Sequence, residues 1–322
     1  MSDFRSAIIA ALADELDGDD RVLLLGEDVA AAGGVFKATE GLLERFGPER
    51  VIDTPISELA MTGAAFGSAL AGCRPVLEIM FGDFMALAMD SLINQSAKWR
   101  FLTDEQTTVP VTVRTAVGAG GRFGGIHSQN PGTWLNGVSG LKVVCPANPA
   151  DAYGMLRAAI RDDDPVVFLE HKRLYTLKGG HEDGSIPRLG TATIVRSGAD
   201  VTLVSIMKGV HDAVAAADAL ERDGVDAEVV DLRSLRPLDV ETVLRSVEKT
   251  NRIVCVEEGP LTGGWAAGLL GEIAAIALDL LDDVAVVCSP DEPVPFSPSL
   301  EDAWLPGPDK IVAAVRSRLA AA

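Results

Sequence analysis

The stretch GLKVVCPANPADAYGMLRAAIRDDDPVVFLE, residues 140–170, sets two apolar runs, LKVVC at 141–145 and PVVFLE at 165–170, on either side of a helix-period segment. Strand, helix, strand is the repeating unit of a parallel sheet with crossover helices. The same alternation runs back through VPVTVRT (109–115), PVLEIM (75–80) and VLLLG (22–26). A polar, glycine-rich stretch, KGGHEDGSIPRLG at 178–190, reads as a linker. The pattern then restarts with VTLVSI (201–206), a helix over 211–222, AEVVDL (227–232), a helix over 239–249, RIVCVE (252–257), a long helix over 263–281 and VAVVC (284–288). The expectation is an α/β protein of two doubly wound domains, residues 1–180 and 190–322. Six prolines between Ser289 and Lys310 predict an extended arm lying on the surface.

A length of 322 residues fits two domains, and 48% apolar with 23% charged residues describes a globular chain able to bury sizeable cores. The net charge of -19 argues against nucleic acid and anionic membranes, which need clustered Lys and Arg. It suits a basic protein partner, or simply solubility. Cys73, Cys145, Cys255 and Cys288 show no C-x-x-C spacing, which favours buried thiols in a reducing compartment over disulfides or zinc. The first twenty residues lack a basic region followed by an apolar run and cleavage site, and the most apolar helix carries Glu272 and Asp279. A cytoplasmic protein with no membrane span is expected.

In open parallel sheets ligands gather outside the carboxyl ends of the strands, so the loops that follow strands are where chemistry belongs. Glu27 and Asp28 directly follow VLLLG. VGAGGRFGGIHSQNPG, residues 117–132, surrounds Arg122, His127, Ser128 and Gln129 with six glycines. His127 there is either an acid, base or ligand that glycines let approach a small molecule, or a side chain that hydrogen-bonds its own loop. DTPISELAMTGAAFGSALAG, residues 53–72, places Pro55 and Ser57 before a helix that should begin at Glu58. Gly63, Gly67 and Ala71 then leave one helix face almost bare, open to a close-packing backbone. Glu58 either complements the helix dipole or does chemistry. No G-x-G-x-x-G follows a strand, and there is no P-loop, H-E-x-x-H or G-x-S-x-G. His171, His181 and His211 lie in unpromising contexts.

DTPISE (53–58) with its small-residue helix, RPVLEIMFGDFMALAMDSLINQSAKWRF (74–101), the loop ending in HSQ, the stretch 140–170, DLRSLRPLD (231–239) and VEEGPLTGGW (256–265) occur in one order. Together they resemble the beta subunit of the thiamine diphosphate-dependent decarboxylase component of 2-oxo acid dehydrogenase complexes, a group with pyruvate, branched-chain and acetoin members. The likeness covers nearly the whole chain. It implies a pyrimidine-binding-type parallel-sheet domain followed by a transketolase C-terminal-type domain. It also implies an oxidoreductase that decarboxylates a 2-oxo acid and reductively acylates lipoyl.

By this resemblance Glu58 hydrogen-bonds the cofactor's pyrimidine nitrogen, Phe84 stacks on that ring, Glu27 joins a carboxylate network beside it, and His127 handles protons and acyl transfer at the mouth. Val111, Ala159, Ile160, Asp162 and Asp164 match a structural potassium site, with Asp164 where relatives carry Asn. No G-D-G motif occurs in the chain. The resemblance therefore implies that an alpha subunit holds magnesium and the diphosphate, in an alpha2-beta2 heterotetramer. Lipoyl and subunit-binding domains of an acyltransferase core are the further partners implied. Rival readings are an acetoin dehydrogenase, a split transketolase-like enzyme, and a non-catalytic scaffold that keeps the fold.

Overall fold

The structure, a computed structural model, describes residues 2–181 and 185–319. Glu182, Asp183 and Gly184 of the expected linker lie outside the described residues. The strands are β1 Val22–Gly26, β2 Val51–Asp53, β3 Arg74–Phe81, β4 Thr112–Val117, β5 Lys142–Val144, β6 Val166–His171, β7 Thr193–Arg196, β8 Val201–Ser205, β9 Ala227–Asp231, β10 Ser234–Arg236, β11 Arg252–Glu257 and β12 Asp283–Cys288. The helices that matter here are α1 Phe4–Gly18, α2 Glu58–Leu70, α3 Pro149–Arg161, α4 Met207–Glu221, α5 Val240–Thr250, α6 Trp265–Ala277 and α7 Pro298–Trp304.

Two sheets form, in the orders β10-β5-β6-β4-β3-β1-β2 and β12-β11-β8-β9-β7. Pairing is parallel throughout except at β10–β5 and β7–β9. The short edge strands β7 and β10 are additions to the expected set. β10 has a consequence for the domain division: residues 234–236 leave the second sheet's neighbourhood and pair with β5 of the first.

Local sequence sets the helix starts. Asn148 accepts the Asp151 N–H and Pro149 occupies the first turn of α3, while Asp239 accepts the Thr242 N–H at the head of α5. α2 begins at Glu58 as read from DTPISE, but Ser57 makes no side-chain cap bond. A Cβ on Gly67 of α2 would meet nothing within 4 Å, so this chain leaves that bare face open.

The centre of the first sheet is not wholly apolar. Arg114 of β4, 1% exposed, makes two 2.8 Å bonds to Glu170 of β6 and also pairs with Glu78 of β3. Tyr175 donates to Glu170 at 2.8 Å. A buried guanidinium persists only when its fork is filled by carboxylates, and here that requirement ties the three central strands together.

Two sequence readings need correction. The arm after Ser289 is not simply extended on the surface: it contains α7, and its Trp304 and Glu301 are buried. His211 does not begin a helix, because α4 starts at Met207, and its Nε2 lies 2.7 Å from the Ala147 carbonyl. Among the described residues no helix is long and apolar enough to cross a membrane.

Candidate active site

β1, β3, β4 and β6 lie side by side and parallel, so the loops at their carboxyl ends share one edge of the sheet. Glu27 leaves β1 next to Gly26, where a Cβ would sit 2.7 Å from the Glu78 carbonyl, so only glycine permits this approach to β3. Glu27 and Glu58 are each only 6% exposed. Burial raises the Glu27 pKa, and the negative charges of Glu58 and Asp28 raise it further. Glu27 Oε1 has no hydrogen-bond partner. Two buried carboxyl groups thus feel each other's charge, one of them biased toward keeping its proton.

β3 ends in a tight 3-10 turn, Gly82–Phe84, that delivers Asp83 and Phe84. Gly82 is required there, because a Cβ would lie 2.8 Å from Pro131 and Val117. The Phe84 ring packs edge-on to His127 at 5.5 Å, and Phe81 does so at 4.6 Å. Asp83 Oδ1 accepts from the Gln129 backbone N–H at 3.2 Å and side-chain amide at 2.8 Å, which pins the histidine loop to the end of β3. Asp83 Oδ2 and Ser128 Oγ are buried without partners.

Lys172, just past β6, is a site residue that the sequence reading missed. It is 9% exposed, donates to the His127 carbonyl, and lies 5.3 and 5.1 Å from the Phe81 and Phe123 ring centres. Burial pushes its pKa down to about 8, against the opposing pull of Asp83, Glu258 and Glu301. Its position at the carboxyl end of a strand was the available signal, masked by the polar linker that follows. His171 proves more than a strand-end residue: its Nε2 lies 2.9 Å from Glu258 Oε2, across the two halves of the chain.

The structure thus places Glu27 within electrostatic reach of Glu58, and packs Phe84 against His127, at the carboxyl ends of the first sheet's strands. The orphaned Glu27 Oε1, at a sheet edge whose loops also carry an aromatic ring and a half-buried imidazole, fits the nitrogen-rich, aromatic end of a thiamine. The chain has no G-D-G motif to anchor a diphosphate there. Among the described residues no group of three or more His, Cys, Asp or Glu could hold a metal ion.

The residues matched to potassium do cluster, but their oxygens already have donors. Val111 O accepts from Val166 N at 2.9 Å and Ala159 O from Asp162 N at 3.2 Å. Arg74 Nη1 reaches the carbonyls of Ile160 and Asp162 at 3.2 and 3.0 Å. Lys142 Nζ sits 2.7 Å from both carboxylate oxygens of Asp162 and 3.3 Å from Asp164, which Arg100 also pairs at 2.7 Å. Three side-chain cations occupy the corner, and the set does not fit an alkali ion.

Comparison with known proteins agrees with the two-domain fold. Residues 1–178 match the transketolase pyrimidine binding domain and residues 190–311 the transketolase C-terminal domain. The chain is 44% identical to the acetoin:2,6-dichlorophenolindophenol oxidoreductase subunit beta of Cupriavidus necator, over 97% of this chain and 96% of that one. It is 43% identical to the pyruvate dehydrogenase E1 component subunit beta of Bacillus subtilis, over 97% of both. A solved split-gene transketolase, described as an inactive beta4 tetramer, shares the fold with a TM-score of 0.81 at 23% identity, covering 99% of this chain and 98% of that one. The chain therefore belongs to the transketolase-like beta subunits of the E1 components of pyruvate, branched-chain and acetoin dehydrogenases, a thiamine diphosphate-dependent family. Such beta subunits work in an alpha/beta E1 assembly within a multienzyme complex.

Proposed function

We propose that this chain is the pyrimidine-binding half of a split thiamine diphosphate site. It oxidatively decarboxylates a 2-oxo acid and acylates lipoyl, with an alpha subunit in an alpha2-beta2 tetramer supplying magnesium and the diphosphate anchor. The carrying observation is the buried Glu27–Glu58 pair with an unpartnered oxygen, in a chain that has no G-D-G motif. When bound, thiamine diphosphate supplies the carbon nucleophile and the electron sink. Glu58 holds the proton at the pyrimidine nitrogen, Glu27 limits the charge beside it, Phe84 covers the ring, and His127 moves a proton at the mouth. The C1–C2 bond breaks to release CO2, and the two electrons left behind, with one proton taken up, open the lipoyl disulfide to an acyl thioester and a thiol. Residues 1–180 carry these groups and residues 190–322 brace them. We place the enzyme in the cytoplasm, consistent with four unpaired cysteines, two of them buried.

The test is a reconstituted enzyme, made with an alpha subunit that carries G-D-G, assayed on pyruvate, branched-chain 2-oxo acids and acetoin. Oxidation of a 2-oxo acid supports the reading, turnover of acetoin alone moves it to the acetoin rival, and no turnover returns it to a scaffold. In that enzyme His127→Ala should lower acyl transfer to a lipoyl domain by about 10²- to 10⁴-fold, the usual worth of a positioned proton-transfer group. Reduction of an artificial oxidant should suffer less. Equal rates for variant and wild type in both assays would make His127 a loop residue only.

The cation corner is self-sufficient on this account, with Arg74, Arg100 and Lys142 standing where potassium was expected. Replacing potassium by choline at equal ionic strength should leave the unfolding midpoint unchanged. A bound ion at 100 times its Kd would contribute about 2.7 kcal/mol, a shift of several degrees in a chain of this size. A potassium-specific rise of that order would restore the metal site.

A further inference from the structure

The loop that carries His127 is poorly equipped to hold its own shape. Gly118, Gly120, Arg122 and Gly124 all have positive φ, at 90°, 89°, 64° and 73°, and glycine-rich backbone is costly to order. Its N–H groups also need acceptors, which no strand ladder supplies.

The acceptors for Ala119, Gly120 and Arg122 come from the other half of the chain. Glu258, just past β11, accepts the Ala119 N–H at 2.6 Å. Glu301 in α7 accepts the Gly120 N–H at 2.8 Å and the Arg122 N–H at 3.1 Å, and pairs with the Arg122 guanidinium at 2.7 Å. Asp302 takes the other guanidinium nitrogen at 2.8 Å. Glu301 is 0% exposed. A carboxylate taken wholly out of water needs such charge-assisted bonds, and among the described residues the donors to it belong to the loop. The apolar contacts agree: Ala119 packs with Val294 and Trp304, and a Cβ on Gly124 would lie 2.6 Å from the Phe296 ring.

We propose that Glu301 is a positioning residue for His127: the proline-rich C-terminal arm braces the glycine-rich loop and thereby sets the imidazole at the mouth of the site. The proposal rests on the proton-handling reading of His127 given above. Glu301→Gln keeps the shape and one acceptor but loses the charge that satisfies two N–H groups and a guanidinium at once. In the reconstituted enzyme it should lower acyl transfer to lipoyl by about 10²-fold, the scale of a 1 Å misplacement, with kcat falling more than KM rises. Amide hydrogen exchange should quicken over residues 118–127 while β8 and β11 stay protected.

In a double-mutant cycle, Glu301→Gln added to His127→Ala should cost nothing further, as expected when one residue acts through the other. If Glu301→Gln does not fold, Arg122→Ala breaks the same clamp from its exposed side and should show the same exchange pattern with a smaller loss of rate. Unchanged loop exchange, or losses that simply multiply in the double variant, overturns the proposal. Quickened loop exchange with a silent His127→Ala supports the brace and counts against the role of His127 alone.

Discussion

Glu58→Gln should reduce 2-oxo acid turnover by the reconstituted enzyme about 10²- to 10⁴-fold, the range for removing a positioned proton-transfer group. The substitution preserves shape, and Ser57 offers no cap bond that it could disturb. The helix loses only the interaction of a charge with its N-terminal dipole, worth about 0.3–1 kcal/mol. Set against that, Glu27 loses a negative neighbour that now raises its pKa, so it will ionise at lower pH in the variant. The protein should remain folded, with its midpoint within a few degrees of wild type. Turnover within a few-fold of wild type would remove Glu58 from the chemistry and leave it a dipole-complementing first-turn residue.

How much of this was readable beforehand depended on what each residue needs from its neighbours in sequence. VLLLG, PVLEIM and PVVFLE announce buried parallel strands, and Glu58 opens α2 where Pro55 and Ser57 say it should. β7 and β10 were not visible, because three or four residues at a sheet edge carry no apolar run; their pairing is decided by partners far away in sequence. The arm misled for a related reason. Prolines at 290, 293, 295, 298, 306 and 308 describe its backbone but not what it covers.

The burial of Glu301 and Lys172 was not legible, since burial of a charge is a property of the assembled fold. The assignment of Glu27, Glu58, Phe84 and His127 to one site came from the resemblance, not from periodicity. The cation corner shows the converse limit: its acceptors include backbone carbonyls, which every residue has, so nothing in the side chains tells that Arg74 would fill them.

The division of the site between two polypeptides is the central claim, and cofactor binding measures it directly. In the proposed site the chain contributes Glu27, Glu58 and the Phe84 ring to the pyrimidine end alone, and it has no G-D-G motif for the diphosphate. Most of the charge in such a ligand lies at the diphosphate end, for which this chain has no G-D-G motif, so the pyrimidine contacts alone should yield weak binding. Isothermal titration of the purified chain with thiamine diphosphate and magnesium should therefore give a Kd weaker than about 1 μM, whereas the same titration with the alpha subunit present should give tight binding together with the appearance of activity. A Kd of about 1 μM or tighter for the chain alone, about -8 kcal/mol, would mean that the whole site lies in this polypeptide and would contradict the account.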